Sequence, residues 1–133
     1  GEPLLNKTHF EWLDQIPNPE KTILLYNTNG TQRPSRKEID IWKKFRGIVL
    51  SFSIDSYGDK FEKLRVGAKW DQVLDNLKYC QEEIITKENF LIPDPGVQVS
   101  LVCPSQVLWD MLIYATQFLV SDGWAHIITV QIP

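Results

Sequence analysis

The sequence predicts an α/β fold in which a parallel sheet of about four strands alternates with amphipathic helices. Three observations predict it: short apolar runs recur along the chain, stretches with helical spacing separate them, and turn or capping residues mark the boundaries. Apolar strands connected through helices favour parallel pairing with right-handed crossovers. Four such strands do not close a barrel, so they form either a small open sheet or part of a larger one.

The first helix and the first strand lie before residue 31. Asn6 is a capping residue ahead of an amphipathic stretch whose inward-facing residues are expected to be Phe10, Leu13 and Trp12. The mostly apolar run Thr22–Tyr26 is predicted to be a buried strand. It leads into a turn made of Asn27, Thr28, Asn29 and Gly30.

A second helix and a second strand follow. Ser35 lies three residues before Glu38, which is the spacing of a capping box. The inward-facing residues of the helix that begins there are expected to be Ile39, Trp42 and Phe45. Gly47–Ile54 is the next predicted strand, and a polar loop after it carries Arg65.

The second half of the chain continues the alternation. Between Lys69 and Gln81 the apolar positions share one helical face: Trp70, Val73, Leu74, Leu77 and Cys80. This pattern predicts a helix over 69–81. Gly96–Val102 is predicted to be a third strand, residues 105–119 a further helix, and Ala125–Ile132 a last strand.

Composition narrows the class of protein. The chain has 133 residues, of which 43% are hydrophobic and 23% charged, so we expect one globular domain over residues 1–133. A net charge of −3 gives no electrostatic case for binding nucleic acid or an anionic membrane. No apolar stretch has the length of a bilayer span and no basic-then-apolar leader opens the chain, so we expect a cytoplasmic protein.

Metal and disulfide sites have little support in the sequence. Cys80 and Cys103 lie far apart and lack metal-ligand spacing, and His9 and His126 are isolated from each other and from the cysteines. We therefore expect two reduced, partly buried thiols and no metal site. The chain also offers no Gly-rich phosphate loop and no arrangement of the Ser-His-Asp or Cys-His kind.

Polar side chains follow the first two predicted strands. Thr28 and Asn29 follow the first, and Ser53 and Asp55 lie at the end of the second. Because the carboxyl ends of parallel strands meet at one edge of a sheet, these groups are placed to hydrogen-bond hydroxyls, amides or a ribose of a ligand.

Simpler structural explanations exist for the same residues. Asn29 and Gly30 form a common turn pair, and Asp55 can cap the segment that follows it. Arg65 belongs to a residue type that is usually solvated. The opening Gly1–Pro3, taken by itself, is typical of a solvated end or turn.

Taken together, these segments resemble the radical S-adenosylmethionine enzyme family. Gly1, Glu2 and Pro3 resemble the end of its Gly-Gly-Glu-Pro motif, and residues 27–30 resemble its Thr-Asn-Gly strand end. Residues 53–56 resemble its Ser-x-Asp ribose strand, and residues 63–73 resemble its Arg-Gly loop with the helix that follows. The similarity runs in order along essentially the whole chain and implies a portion of a (β/α)6 partial TIM-like barrel.

The resemblance also implies a binding site for S-adenosylmethionine. Glu2 would meet the methionine ammonium, Ser53 the ribose or the methionine part, and Arg65 the carboxylate, a pairing of charges that is chemically apt. The strand end Thr129–Ile132 would contact the adenine. The cofactor-binding residues expected on this basis are Gly1, Glu2, Pro3, Asn27, Thr28, Asn29, Ser53, Asp55 and Arg65.

The chain departs from the family in one respect that bears on catalysis. The family holds a [4Fe–4S] cluster with three cysteines in a C-x3-C-x2-C loop, and this sequence contains no such loop. Cys80 falls within a predicted helix and Cys103 after the third strand, so neither replaces it. We therefore expect a fragment-like portion of the core that binds S-adenosylmethionine weakly or not at all, binds no cluster and is not catalytic alone.

Two other functions stay open. The chain is alternatively a stand-alone small α/β module for binding or interaction, or a nucleotide-binding enzyme without a cluster. The last of these needs a base or a nucleophile that the sequence does not offer. In a fragment, the strand Thr22–Tyr26 would lie beside a missing strand, so we expect a homo-oligomer formed through exposed sheet edges.

Overall fold

The computed structural model describes residues 2–85, 96–102 and 127–131, which form a mixed α/β fold. The helices are α1 (Lys7–Leu13), α2 (Arg36–Trp42), α3 (Gly58–Leu64) and α4 (Trp70–Ile85). The strands are β1 (Ile23–Thr28), β2 (Gly47–Ile54), β3 (Gly96–Val102) and β4 (Ile127–Gln131). Single 3-10 turns cover Pro3–Leu5 and Pro19–Lys21. The predictions for Gly1, Cys103, His126, the helix over 105–119 and both ends of the last strand lie outside the described residues.

The strands pair in parallel. β1 pairs with β2 from Ile23 opposite Gly47 to Thr28 opposite Phe52. β3 lies on the other side of β2, and β4 pairs with β3, both in parallel. Parallel neighbours need a crossover, which α2 provides between β1 and β2, and α3 with α4 after β2. The predicted α/β class is confirmed.

The buried apolar side chains of β1 and β2 share one face of the sheet. Buried side chains alternate along the two strands and are contributed by Tyr26, Ile48, Leu50, Phe52 and Ile54. The helices pack on this face through a cluster that includes Phe10, Leu13, Ile39, Trp42, Phe45, Val73 and Leu77. On the other face β1 carries Ile23, Leu25 and Asn27, all exposed. The described helices therefore lie on one side of these strands.

The predicted caps and most of the predicted core residues of α1 and α2 are confirmed. The Asn6 side chain accepts a hydrogen bond from the His9 N–H, and Ser35 with Glu38 forms the reciprocal capping box. The prediction that Trp12 faces the core is wrong, because 68% of its surface is exposed. It lies two positions after Phe10, about 200° around the helix from that buried residue, so both cannot face the core.

Helix α3 replaces the polar loop predicted after β2. Phe61, with 0% exposure, is its buried residue, and its ring lies 5.4 Å from the Trp70 ring between centroids. A helix of seven residues with one buried anchor gives no periodic signal, which is why the sequence predicted a loop. The helix predicted to end at Gln81 is present and continues to Ile85.

Among the described residues, the core contains two buried ionisable groups, Tyr26 and Cys80. The Tyr26 hydroxyl accepts a hydrogen bond from Trp42 Nε1 at 3.3 Å and lies 2.7 Å from His9 Nε2. Burial raises the pKa of Tyr26 to about 12, against the smaller opposing effect of the Trp42 hydrogen bond. Cys80, on the buried side of α4, has no solvent exposure, and burial raises the pKa of its thiol to about 12.

We predict that the free energy of unfolding falls as the pH rises through the alkaline range. The ordinary pKa values of Tyr26 and Cys80 are 10.0 and 9.0, whereas both groups titrate near 12 in the folded chain. Between these values the unfolded state binds fewer protons than the folded state, so stability is full below pH 9 and is lost above it. Each group contributes a slope of at most about 1.4 kcal/mol per pH unit.

Urea unfolding at a series of alkaline pH values measures this slope. Cys80→Val is the matched variant, because it keeps an apolar side chain of similar size and removes the thiol. The variant should lose the earlier part of the decline, below the ordinary pKa of tyrosine, and keep the later part. Superimposable pH profiles for the two chains would exclude a contribution from Cys80.

Candidate functional site

Glu2 joins the opening segment of the chain to the end of β1. Its Oε1 accepts hydrogen bonds from the Thr28 hydroxyl at 2.8 Å and the Leu4 N–H at 3.3 Å, and its Oε2 accepts one from the Asn29 N–H at 2.9 Å. Glu2 also caps the 3-10 turn that begins at Pro3. A carboxylate has about four acceptor positions, so one position on Oε2 remains for a further donor.

The turn after β1 is fixed by packing against the core. Gly30 has a φ of 76°, and a Cβ added there would lie 2.8 Å from Phe52 and 2.9 Å from Val73. Both the backbone conformation and the space therefore require glycine. The Gly30 N–H donates to Thr28 Oγ1 at 3.1 Å, and Thr28 is only 2% exposed. Thr28 and Gly30 are thus buried residues that fix the conformation of the turn.

Asn29 is half-buried beside this turn and keeps part of its hydrogen-bonding capacity. Its Oδ1 accepts hydrogen bonds from the Thr31 N–H at 2.9 Å and the Thr31 hydroxyl at 2.7 Å. Its Nδ2 donates to no residue within ranges 2–85, 96–102 and 127–131. Asn27 lies two positions earlier, exposed on the sheet face that the helices do not cover.

At the end of β2, two of the predicted site residues bind each other. Arg65 Nε donates to Asp55 Oδ2 at 2.5 Å, with 29% and 24% of the two side chains exposed. Ser53 is half-buried two residues before Asp55. Ser56, the residue after Asp55, is fully buried, and its hydroxyl has no hydrogen-bond partner in the part of the chain that the structure describes. Arg65 is therefore held at the strand end rather than left in solvent.

A cleft of about 500 Å³ lies between the turn after β1 and the segment that joins α3 to α4. Its lining residues are Asn29, Thr31, Gln32, Arg65, Val66, Gly67, Ala68 and Gln72. Among these described lining residues, Arg65 alone carries a charge. The volume falls in the usual range for small-molecule sites, about 300–1,000 Å³. The cleft brings Asn29 and Arg65 together. The other described residues predicted for the site do not line it, namely Glu2, Pro3, Asn27, Thr28, Ser53 and Asp55.

Helix α4 contributes a clamp that the sequence analysis did not identify. Asn76 is 2% exposed; its Nδ2 donates to the Gly30 carbonyl at 2.9 Å, and its Oδ1 accepts from Arg33 Nε at 3.0 Å. The Arg33 guanidinium in turn lies 4.8 Å from the centre of the Tyr79 ring. The available signal was an amide next to Leu77 on the apolar face of a helix, because a buried amide needs partners.

The described residues do not fit an iron–sulfur cluster. No group of three or more His, Cys, Asp or Glu side chains in ranges 2–85, 96–102 and 127–131 is placed to hold a metal. Cys80 is closed to solvent, and its raised pKa disfavours the thiolate that a cluster ligand must be. Across the same ranges, no helix combines the length and the apolar character needed to cross a membrane.

Comparison with known proteins assigns no family. No protein-family model matches the chain, and no curated protein or solved structure is significantly similar to it. The family named from the sequence motifs therefore stays a prediction.

We predict that Asn76→Ala destabilises the chain by about 1–3 kcal/mol, the usual cost of leaving buried polar groups without partners. The substitution removes the hydrogen bonds that the Asn76 amide forms with the Gly30 carbonyl and with Arg33 Nε. Asp75→Ala is the matched control, because Asp75 is the exposed neighbour on the same helix and should change stability by less than about 0.5 kcal/mol. Urea unfolding measures both, and equal stability of the two variants would argue against a clamp at Asn76.

Proposed function

We propose that the chain forms the S-adenosylmethionine-binding portion of a radical S-adenosylmethionine enzyme core. The observation that carries this proposal is the pair of hydrogen bonds from Thr28 and Asn29 to the Glu2 carboxylate. They hold the Gly-Glu-Pro segment on the end of the strand that finishes in Thr-Asn-Gly. The Ser-x-Asp strand lies beside it in parallel, with Arg65 bound to its end. Four sequence motifs that are separate along the chain therefore lie at the carboxyl-terminal end of the sheet.

The unequal faces of the sheet support a portion of a (β/α)6 barrel with four strands in sequential order. Sheets with helices on both faces have strands that are apolar on both sides. Here the face away from the described helices is mixed, because it carries Ile23, Leu25 and Val49 as well as Asn27, Ser51 and Ser53. The register places Gln98 beside Ser51 and Ser100 beside Ser53. The polar positions follow the apolar ones along β1 and β2 and so lie toward the carboxyl ends of the strands, where parallel α/β sheets bind ligands.

Three side chains suit the polar groups of the ligand. Among the described residues, none occupies the two terminal nitrogens of Arg65, which suit a carboxylate, or the fourth acceptor position of Glu2, which suits an ammonium. Ser53 has a hydroxyl for a ribose, and the Asn29 Nδ2, beside the cleft, donates to none of the described residues. These residues bind and orient the ligand. Cleavage in this family takes its electron from a cluster held by a C-x3-C-x2-C loop, which this sequence does not contain, so we assign binding and no catalysis to these residues.

We predict saturable binding of S-adenosylmethionine that is weakened about tenfold or more by Arg65→Ala, because the carboxylate loses its charge-assisted partner. Ser53→Ala should weaken binding by a smaller factor, since it removes one neutral hydrogen bond. Lys63→Ala is the matched control, as it removes an exposed cation from α3. Calorimetric titration measures all four chains. No saturation at millimolar ligand, or an equal loss in Lys63→Ala, would rule out the proposed site.

A stand-alone interaction module is the second candidate, and the edge of the sheet favours it. β1 is the first strand in the sheet order, and no strand among those described pairs with its outer edge. Leu25 on this strand is 78% exposed and Ile23 43% exposed. Exposed apolar side chains on an edge strand are typical of a surface that is covered by another chain.

We predict that the chain self-associates through β1 and that Leu25→Lys suppresses the association, because a lysine on an edge strand opposes further pairing. Leu64→Lys is the control, since Leu64 is a leucine that is 55% exposed on α3 and not on β1. Sedimentation velocity over a concentration series measures the effect. Open-ended association favours a portion of a larger barrel, whereas a defined dimer favours the stand-alone module. A monomer at every concentration would contradict the use of this edge.

A further inference from the structure

The geometry points to a positioning role for Asp55. We propose that Asp55 does not touch the ligand but orients Arg65, so that the terminal nitrogens of the guanidinium meet the carboxylate of an amino-acid ligand in the cleft. This inference rests on the proposed function and deepens it, because it distinguishes Arg65, which binds the carboxylate, from Asp55, which orients Arg65.

The hydrogen bonds of Arg65 support this division of roles. Its Nε donates to Asp55 Oδ2, whereas neither terminal nitrogen donates to any residue within the described ranges. Arg65 lines the cleft and Asp55 does not. A guanidinium is planar and rigid, so fixing Nε at one carboxylate sets the plane in which the two Nη groups lie. The remaining donors are those suited to a two-point contact with a second carboxylate.

The loop that carries Arg65 makes this anchor necessary. The backbone of Arg65 is fixed by its N–H to the Phe61 carbonyl at 2.9 Å and by its carbonyl to the Ala68 N–H at 3.0 Å. The Arg65 side chain is 29% exposed, whereas its neighbour Val66 is 95% exposed. Asp55 is the one described residue that forms a hydrogen bond with the Arg65 side chain. Without that bond the plane of the guanidinium is no longer set, and ligand binding has to order it.

The charges of the cleft indicate the class of ligand. The other described lining residues are neutral, so Arg65 supplies the charge that a ligand entering the cleft meets. Asp55 has two opposite effects on a carboxylate ligand: it orients the guanidinium, and it also competes with the ligand for that cation. Asparagine separates them, because it retains an acceptor for Arg65 Nε and removes the competing charge.

The test compares S-adenosylmethionine with its decarboxylated analogue, which lacks only the α-carboxylate, by calorimetric titration of four chains. These are the wild type, Asp55→Ala, Asp55→Asn, and Asp59→Asn as a matched control for the loss of one exposed acid on α3. We expect Asp55→Ala to weaken binding of S-adenosylmethionine about tenfold and to leave the affinity for the analogue within about twofold. Asp55→Asn and Asp59→Asn should both bind S-adenosylmethionine nearly as the wild type does.

The side-chain resonance of Arg65 Nε–Hε provides a measurement on the chain without ligand. Solvent exchange of this proton should be slow in the wild type and in Asp55→Asn, and fast in Asp55→Ala. Tighter binding of S-adenosylmethionine by both Asp55 variants would overturn the proposal, because Asp55 would then be a competitor. An equal loss of both ligands in Asp55→Ala would also overturn it, since that result indicates a purely structural role.

These results are distinguishable from failure of the proposed function. A wild-type chain that binds neither ligand overturns both proposals. A wild-type chain that binds the two ligands with equal affinity overturns the positioning role alone, because Arg65 then contributes nothing to recognition of the carboxylate. Both proposals are supported if the wild type binds S-adenosylmethionine more tightly than the analogue and if Asp55→Ala loses affinity for S-adenosylmethionine but not for the analogue.

Discussion

The parallel pairing of β1 with β2 is the constraint on which the site depends. Because Thr28 lies opposite Phe52, both strands end on the same side of the sheet, within a few residues of each other. The carboxylate of Glu2 and the ion pair of Asp55 with Arg65 are each attached to one of these strand ends. An antiparallel pair would place the same groups at opposite ends of the sheet, so direction matters as much as composition here.

The core and the site share residues, which couples stability to the shape of the cleft. Phe52 packs in the centre of the core and also limits the space at Gly30. Asn76 occupies the apolar side of α4 and holds the carbonyl of that same glycine. The turn that presents Asn29 to the cleft is therefore held by the packing that buries the sheet. In protein interiors of normal density, such a turn has no room to shift independently.

Part of this arrangement was readable from the sequence and part was not, for physical reasons. The capping box at Ser35 and the limits of β2 follow from local chemistry, namely a hydroxyl before a helix and a mostly apolar run. Helix α3 was not predicted because its position depends on the tertiary contact of one buried ring, Phe61. The ion pair was not predicted for the same reason. The sequence shows that Asp55 and Arg65 are present, but only the fold shows that they are in contact.

The two walls of the cleft differ in how much change they tolerate. At Gly30 even one added carbon collides with Phe52 and Val73, whereas an added Cβ at Gly67 meets no atom within 4 Å. Lengthening or enlarging the wall at residues 66–67 thus leaves the core untouched, although the φ of 89° at Gly67 still strains other residues there. Substitutions in the wall at residues 66–67 can therefore change the size of ligand that the cleft accepts. The wall at Gly30 cannot change in this way, so the part of a ligand that it contacts stays the same.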